Sequence, residues 1–93
     1  MKELIEILLR VKSKIPDGSD MLWTYFESPV ELRKEIDGFI LQLEEENVNC
    51  LAAINIHFIA TGTFQEHSLM NGWSDEYLIL AEQFDIIYNQ LTS

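Results

Sequence analysis

The amino-acid sequence predicts an all-α fold: a compact bundle of four longer helices with short connecting helical turns. Three observations lead there. Apolar residues recur at intervals of three and four along most of the chain. Two stretches, Ser28-Pro29-Val30-Glu31 and Thr63-Phe64-Gln65-Glu66, have the spacing of a capping box. Only Ile54 to Phe58 alternates with the period of a strand, and a lone strand has nothing to pair with.

The first helix is expected from Lys2 to Lys14. Leu4, Leu8, Val11 and Ile15 form its stripe, which Ile5 and Leu9 widen. Pro16-Asp17-Gly18 stops it, and Asp20 is placed to cap a short helical turn through Met21, Leu22 and Trp23. The second helix begins at Pro29, with Ser28 as N-cap and Glu31 at N3, and runs to about Glu46. Leu32, Ile36, Phe39, Ile40 and Leu43 face inward. Gly38 in its middle costs roughly 1 kcal/mol against Ala, and a close helix crossing is one reason to tolerate it. Glu44, Glu45 and Glu46 crowd the negative end of the helix dipole. Val48 to Ala60 fits a helix through Leu51, Ile54 and Phe58 and a strand through its alternation; the helix is preferred. Thr63 is expected to cap a short helix that ends at Asn71-Gly72. Ser74 is expected to cap the last helix, with Tyr77, Ala81, Phe84, Tyr88 and Leu91 as its main stripe. Ile79, Leu80 and Ile87 add apolar surface beyond one stripe, so this helix is either central or engaged at an interface.

At 93 residues the chain is one domain, 1–93, and its 47% hydrophobic content argues for a real core. No apolar run is long enough to span a membrane. The charged residues among the first fifteen leave no apolar core for a secretory signal. With a single cysteine, Cys50, no internal disulfide forms, and the expected location is the cytoplasm. The charge is lopsided. In the first 34 positions six acids balance all six basic residues; residues 35 to 93 hold the other ten acids and no Lys or Arg. The net charge of −10 repels nucleic acid and anionic lipid and attracts basic proteins and cations.

Few residues can do chemistry. Cys50 and His57 are seven apart and share a helix face, but nothing nearby supplies an oxyanion site. Glu66 and His67 are adjacent and point about 100° apart on a helix, so with His57 they do not make a convergent zinc site. There is no phosphate loop, GxSxG or EF-hand pattern. No catalytic residue, metal or cofactor is therefore expected. A small enzyme or metal protein using Cys50, His57, Glu66 and His67 is the alternative from another class.

The remaining feature is the connection from Pro16 to Glu27, rich in aromatics and acids. Trp and Tyr supply large contact area at low entropic cost and dominate binding hot spots, and carboxylates around them steer a basic partner. Ser19, Asp20, Trp23, Tyr25 and Glu27 are the candidate contact residues. Glu66, Trp73, Asp75 and Glu76 form a second candidate surface, again acids and an aromatic beside a turn. For both tryptophans the competing expectation is a loop packed onto the core. At Pro16-Asp17-Gly18-Ser19-Asp20-Met21-Leu22-Trp23, followed by Ser28-Pro29, the chain resembles the small immunity proteins that neutralise DNase colicins and pyocins. In that family a Pro-x-Gly-Ser/Thr-Asp turn with aliphatics and tyrosines follows a helix and docks on a basic nuclease. The resemblance implies contact roles for Ser19, Asp20 and Trp23 and leaves Thr24 where the family has a second tyrosine. It is close only over residues 16–23, and the spacing from Asp20 to Ser28-Pro29 is shorter than in the family. The expected function is a non-catalytic acidic domain that binds a basic protein, with an antidote-type inhibitor as its sharper form. A small regulatory or assembly subunit using the apolar last helix is the alternative binding role.

Overall fold

Helical periodicity and turn chemistry together divide the chain into five α-helices. The computed structural model describes residues 2–59 and 62–92, and no strand occurs among them. The helices are α1 (Lys2–Ser13), α2 (Pro29–Glu44), α3 (Leu51–Phe58), α4 (Thr63–Asn71) and α5 (Ser74–Thr92). The fold is the expected all-α bundle. The expected third segment reached Ala60, which lies outside the described residues; within them it is helical and shorter than anticipated.

The longest helix, α5, is the spine, packing on α1, α3 and α4, while α1 also packs on α2 and α3 on α4. Tyr77, Leu80 and Phe84 are its buried residues. Phe84 is fully buried and stacks on Phe58 at 4.5 Å, and Phe58 meets Phe64 edge-on at 4.9 Å. Three helices thus share one aromatic cluster, a geometry that adds to simple area burial. The Tyr77 hydroxyl donates to the Phe58 carbonyl at 2.6 Å and satisfies an acceptor left open at the end of α3. Burial, and secondarily Asp85, pushes the Tyr77 phenol above its ordinary range. All five residues expected inward on α2 are buried. On α1 the buried set is Leu4, Ile7, Leu8 and Val11; of the two residues expected to widen the stripe, Ile5 packs partly against the core and Leu9 is exposed, and Ile7 widens it further.

The helix ends show where local chemistry decides. At α2 the Glu31 amide donates to Ser28 Oγ at 3.3 Å, as a capping box requires. The Glu31 carboxylate reaches one residue further back than expected and accepts from the Glu27 amide at 3.2 Å. Gly38 needs no close crossing: it is exposed, and a Cβ there would meet nothing within 4 Å. The α2 helix closes with the Asn47 amide on the Gln42 carbonyl and the Glu46 amide on that of Leu43. This Schellman motif puts Glu46 at φ 60°, where glycine is the usual occupant. At the end of α4 the expected residue, Gly72, takes the left-handed position at φ 79°, and the Gly72 and Trp73 amides both donate to the Ser68 carbonyl.

The start of α4 departs from expectation. Gly62, not Thr63, is the N-cap, and no side chain caps it; Thr63 is already helical and buried. The reason is steric. A Cβ on Gly62 would sit 2.6–2.8 Å from the carbonyl oxygens of Ile56, His57 and Ile59, so the chain passes too close to α3 for any side chain. One residue's difference also occurs at α5, where the Trp73 carbonyl accepts the first helical bond from Tyr77 and Ser74 is already in the helix.

Candidate protein-binding surface

The connection between α1 and α2 is built from inward anchors, a polar clasp and an outward knob. Ile15 is buried, and Met21 and Phe26 pack partly against the core. Arg33 of α2 holds the start of the connection, donating to the Ile15 carbonyl at 2.7 Å and pairing with Asp17. The Pro16 carbonyl accepts from the Ser19 amide, closing a turn. The clasp is Asn71, at the end of α4. Its Oδ1 accepts from the Asp20 amide at 2.8 Å and its Nδ2 donates to the Asp20 carbonyl at 2.9 Å. The same Nδ2 lies 2.9 Å from the His67 carbonyl. An amide side chain that serves one residue's donor and acceptor together holds the backbone as a strand neighbour would.

Beyond the clasp, Asp20 Oδ1 accepts from the Leu22 amide at 3.0 Å and starts a tight turn. The Thr24 amide donates to the Met21 carbonyl, and Thr24 Oγ1 accepts from the Phe26 amide. The expected helical turn through Met21–Trp23 is thus a single turn with no helix. Its pattern is divided: Met21 and Phe26 go in, while Leu22, Trp23 and Tyr25 point out with 73%, 68% and 94% of their surface exposed. Asp20 and Glu27 are exposed beside them, and Ser19 is half-buried. Asp20 keeps its second carboxylate oxygen without a partner among the described residues. The five candidate contact residues therefore lie along one ordered connection, and Leu22 joins them. Asn71, which fixes them, carries no sequence signal, because its contact partner is 51 residues away.

The second candidate surface does not assemble. Trp73 is only 6% exposed, and its indole Nε1–H donates to His67 Nδ1 at 3.0 Å. The expectation of a loop packed by Trp73 is the one the structure matches. Glu66 is half-buried on α4 and Asp75 is exposed at the start of α5. Glu76 is committed elsewhere: both its oxygens accept from Arg10, at 2.7 and 2.8 Å, and Lys14 lies 3.4 Å away. The hydrogen bonds from Arg10 hold the Glu76 carboxyl below its ordinary range.

The chemistry-bearing residues are dispersed. Cys50 is buried, its thiol directed at the Asn47 carbonyl at 3.8 Å, and burial raises its pKa, which opposes thiolate formation. His57 Nε2 is 3.0 Å from Glu35 Oε2, with Phe26, Phe39 and Phe64 around the ring, and its Nδ1 is buried without a hydrogen-bond partner among the described residues. His67 is fully buried. Since an indole can only donate, His67 Nδ1 accepts and the ring proton of the neutral imidazole sits on Nε2, which has no partner among the described residues. Burial lowers the His67 pKa, partly offset by Asp20. Among the described residues no group of three His, Cys, Asp or Glu converges on a point that would hold a metal ion. No helix among them is long and apolar enough to cross a membrane. No family model, curated protein or solved structure matches the chain.

Proposed function

We propose that the chain is a non-catalytic binding domain that docks a basic protein through the Leu22–Trp23–Tyr25 knob and its flanking acids. The observation that carries this reading is three large apolar side chains within four residues left exposed on a connection already held by Asn71, Arg33 and Thr24. Each aromatic can bury on the order of 150–250 Å² against a partner. Because the backbone is already ordered, little entropy is lost in doing so. Asp20 and Glu27, both exposed and in no ion pair among the described residues, select a partner of positive charge. The resemblance of residues 16–23 to colicin and pyocin immunity proteins supports the sharper form, an antidote that occupies a basic nuclease through Ser19, Asp20 and Trp23.

The test compares affinity capture by the wild-type chain and by Trp23→Ala/Tyr25→Ala from the same lysate. The proposal expects a basic protein held by the first and lost by the second. Capture of the same proteins by both removes the knob from the function. The antidote form is tested separately by adding the chain to a colicin-type DNase: unchanged DNA cleavage at excess chain rejects it without touching the binding role.

A further inference from the structure

We propose that a second, separate surface, the groove between α1 and α5, docks an amphipathic helix of a partner protein whose apolar stripe is flanked by Lys or Arg. The two helices run antiparallel. Arg10 of α1 meets Glu76 of α5 at one end, and the groove, about 500 Å³, continues past Ile7 and Leu80 to Glu3 and Ile87. From residue 3 to residue 10 this is about 10 Å, or two helical turns at 1.5 Å per residue. A straight channel between two antiparallel helices receives a third helix by the ordinary meshing of side-chain ridges.

The floor is apolar and the rim acidic. Ile7 and Leu80 lie at the bottom, and Ile86 stands at the wall with 55% of its surface exposed. Ile79, one heptad earlier on α5, continues that exposed stripe. The inward residues of α5 fill the core, and Ile79 and Ile86 keep more than half of their surface uncovered. Glu3 and Glu6 line the opening and take part in no ion pair among the described residues, while the one cation there, Arg10, is held by both oxygens of Glu76. Glu82 and Asp85 are exposed on the same helix, which has no Lys or Arg. That charge decides the occupant. A second copy of this chain, itself at −10, would meet the rim with like charge, whereas a helix carrying Lys or Arg beside its apolar stripe complements both floor and rim. The groove shares no residue with the Leu22–Trp23–Tyr25 knob and does not depend on it.

The experiment is a titration of isotope-labelled chain, followed by backbone amide shifts, with a synthetic helical peptide bearing Leu at i, i+3, i+4 and i+7 and Lys elsewhere. One control peptide has the same composition with Leu spread around the helix; another has Glu in place of Lys. The expected result is shifts at Ile7, Gln83 and Ile86 with the Lys peptide, and binding at least tenfold weaker for both controls. Ile86→Lys and Glu6→Lys, each checked for intact folding, should each weaken binding at least tenfold, and Trp23→Ala should leave it unchanged. If Ile86→Lys fails to fold, Ile86→Gln replaces it. Equal binding of the dispersed-Leu control, shifts away from the groove, or variants that bind like the wild type would overturn the proposal. So would groove shifts that grow with protein concentration alone, which would make a second copy the occupant.

Discussion

Two tryptophans in turn-rich segments have opposite fates, and the difference lies in single contacts. Trp73 follows the left-handed Gly72 and turns into the core, where His67 accepts its indole proton. Trp23 follows a turn that Asp20 starts on its own backbone, and Asn71 holds that turn with the indole outward. Trp73→Ala should therefore cost about 3–5 kcal/mol of stability, as for other buried large aromatics. Trp23→Ala should change it by no more than about 0.5 kcal/mol, as for surface positions. Urea denaturation of the two variants checks the pair, and comparable losses would mean that the knob is part of the core. The His67 contact adds a pH dependence. Its folded pKa is lowered from 6.5 by burial, so the unfolded chain binds the proton more readily. The stability it supports is complete above about pH 6.5 and is lost as pH falls below that value toward the lower folded pKa. His67→Asn keeps an acceptor near Nδ1 but cannot titrate. Denaturation midpoints of wild type and variant should diverge below about pH 6.5, with the wild type losing more; parallel profiles would show that His67 protonation is not linked to folding. Neither tryptophan's fate was legible in the sequence, because composition and turn signals around the two are alike and the deciding partner of the first connection lies on α4.

At the scale of the helix, most of the fold was legible. Period and turn signals pointed to α1, α2, α4 and α5, whereas α3 was ambiguous by period and was preferred as a helix because a lone strand has no partner; the inward face of α2 came from spacing alone, since that helix meets the core along one straight stripe. What was misread turned on three-dimensional packing that spacing alone does not carry. Thr63 has the right spacing for a cap, but the approach of residue 62 to the carbonyls of Ile56 and His57 in α3 and of Ile59 just after it moves the cap to Gly62. Gly38 suggested a crossing that does not exist. Its exposed site, open to a Cβ, makes Gly38→Ala a stabilising change of about 1 kcal/mol through helix propensity alone. Glu46 is the reverse case, a side chain in the left-handed region at a helix end that disfavours acids. Glu46→Gly should stabilise by about 1 kcal/mol, from relief of that conformation and removal of a negative charge from the dipole. Ser28→Ala should destabilise by about 0.5–2 kcal/mol through the lost cap. Thermal melts of these three variants give the signs directly; a destabilised Gly38→Ala would mean that the exposed face of α2 is packed after all.

Over the whole molecule the charge division seen in the sequence becomes spatial. Four of the six basic residues of the first 34 positions are turned toward acids: Arg10 and Lys14 to Glu76, Lys12 to Asp37, Arg33 to Asp17. These exposed pairs add little stability each, about 0–1 kcal/mol. Their larger effect is to occupy most of the cations, so that the remaining acids set the field around a body of 34 × 23 × 18 Å. That field extends about 30 Å at 0.01 M ionic strength, comparable to the molecule itself, and about 8 Å at 0.15 M. Association with a basic partner should then fall at least tenfold in rate between those conditions, because the approach is steered by the summed charge. The dissociation rate should change little, because it is set by the close contacts of the knob. The two are separable by mutation. Trp23→Ala should raise the dissociation rate, by about thirtyfold for a loss near 2 kcal/mol, and leave the salt dependence of association as it was. Reversing acids outside the contact, such as Glu82→Lys with Asp85→Lys, should slow association at low salt and spare dissociation. Stopped-flow kinetics at the two salt concentrations reads all four quantities, and an association rate indifferent to salt would remove the acidic field from the binding mechanism while leaving the knob in place.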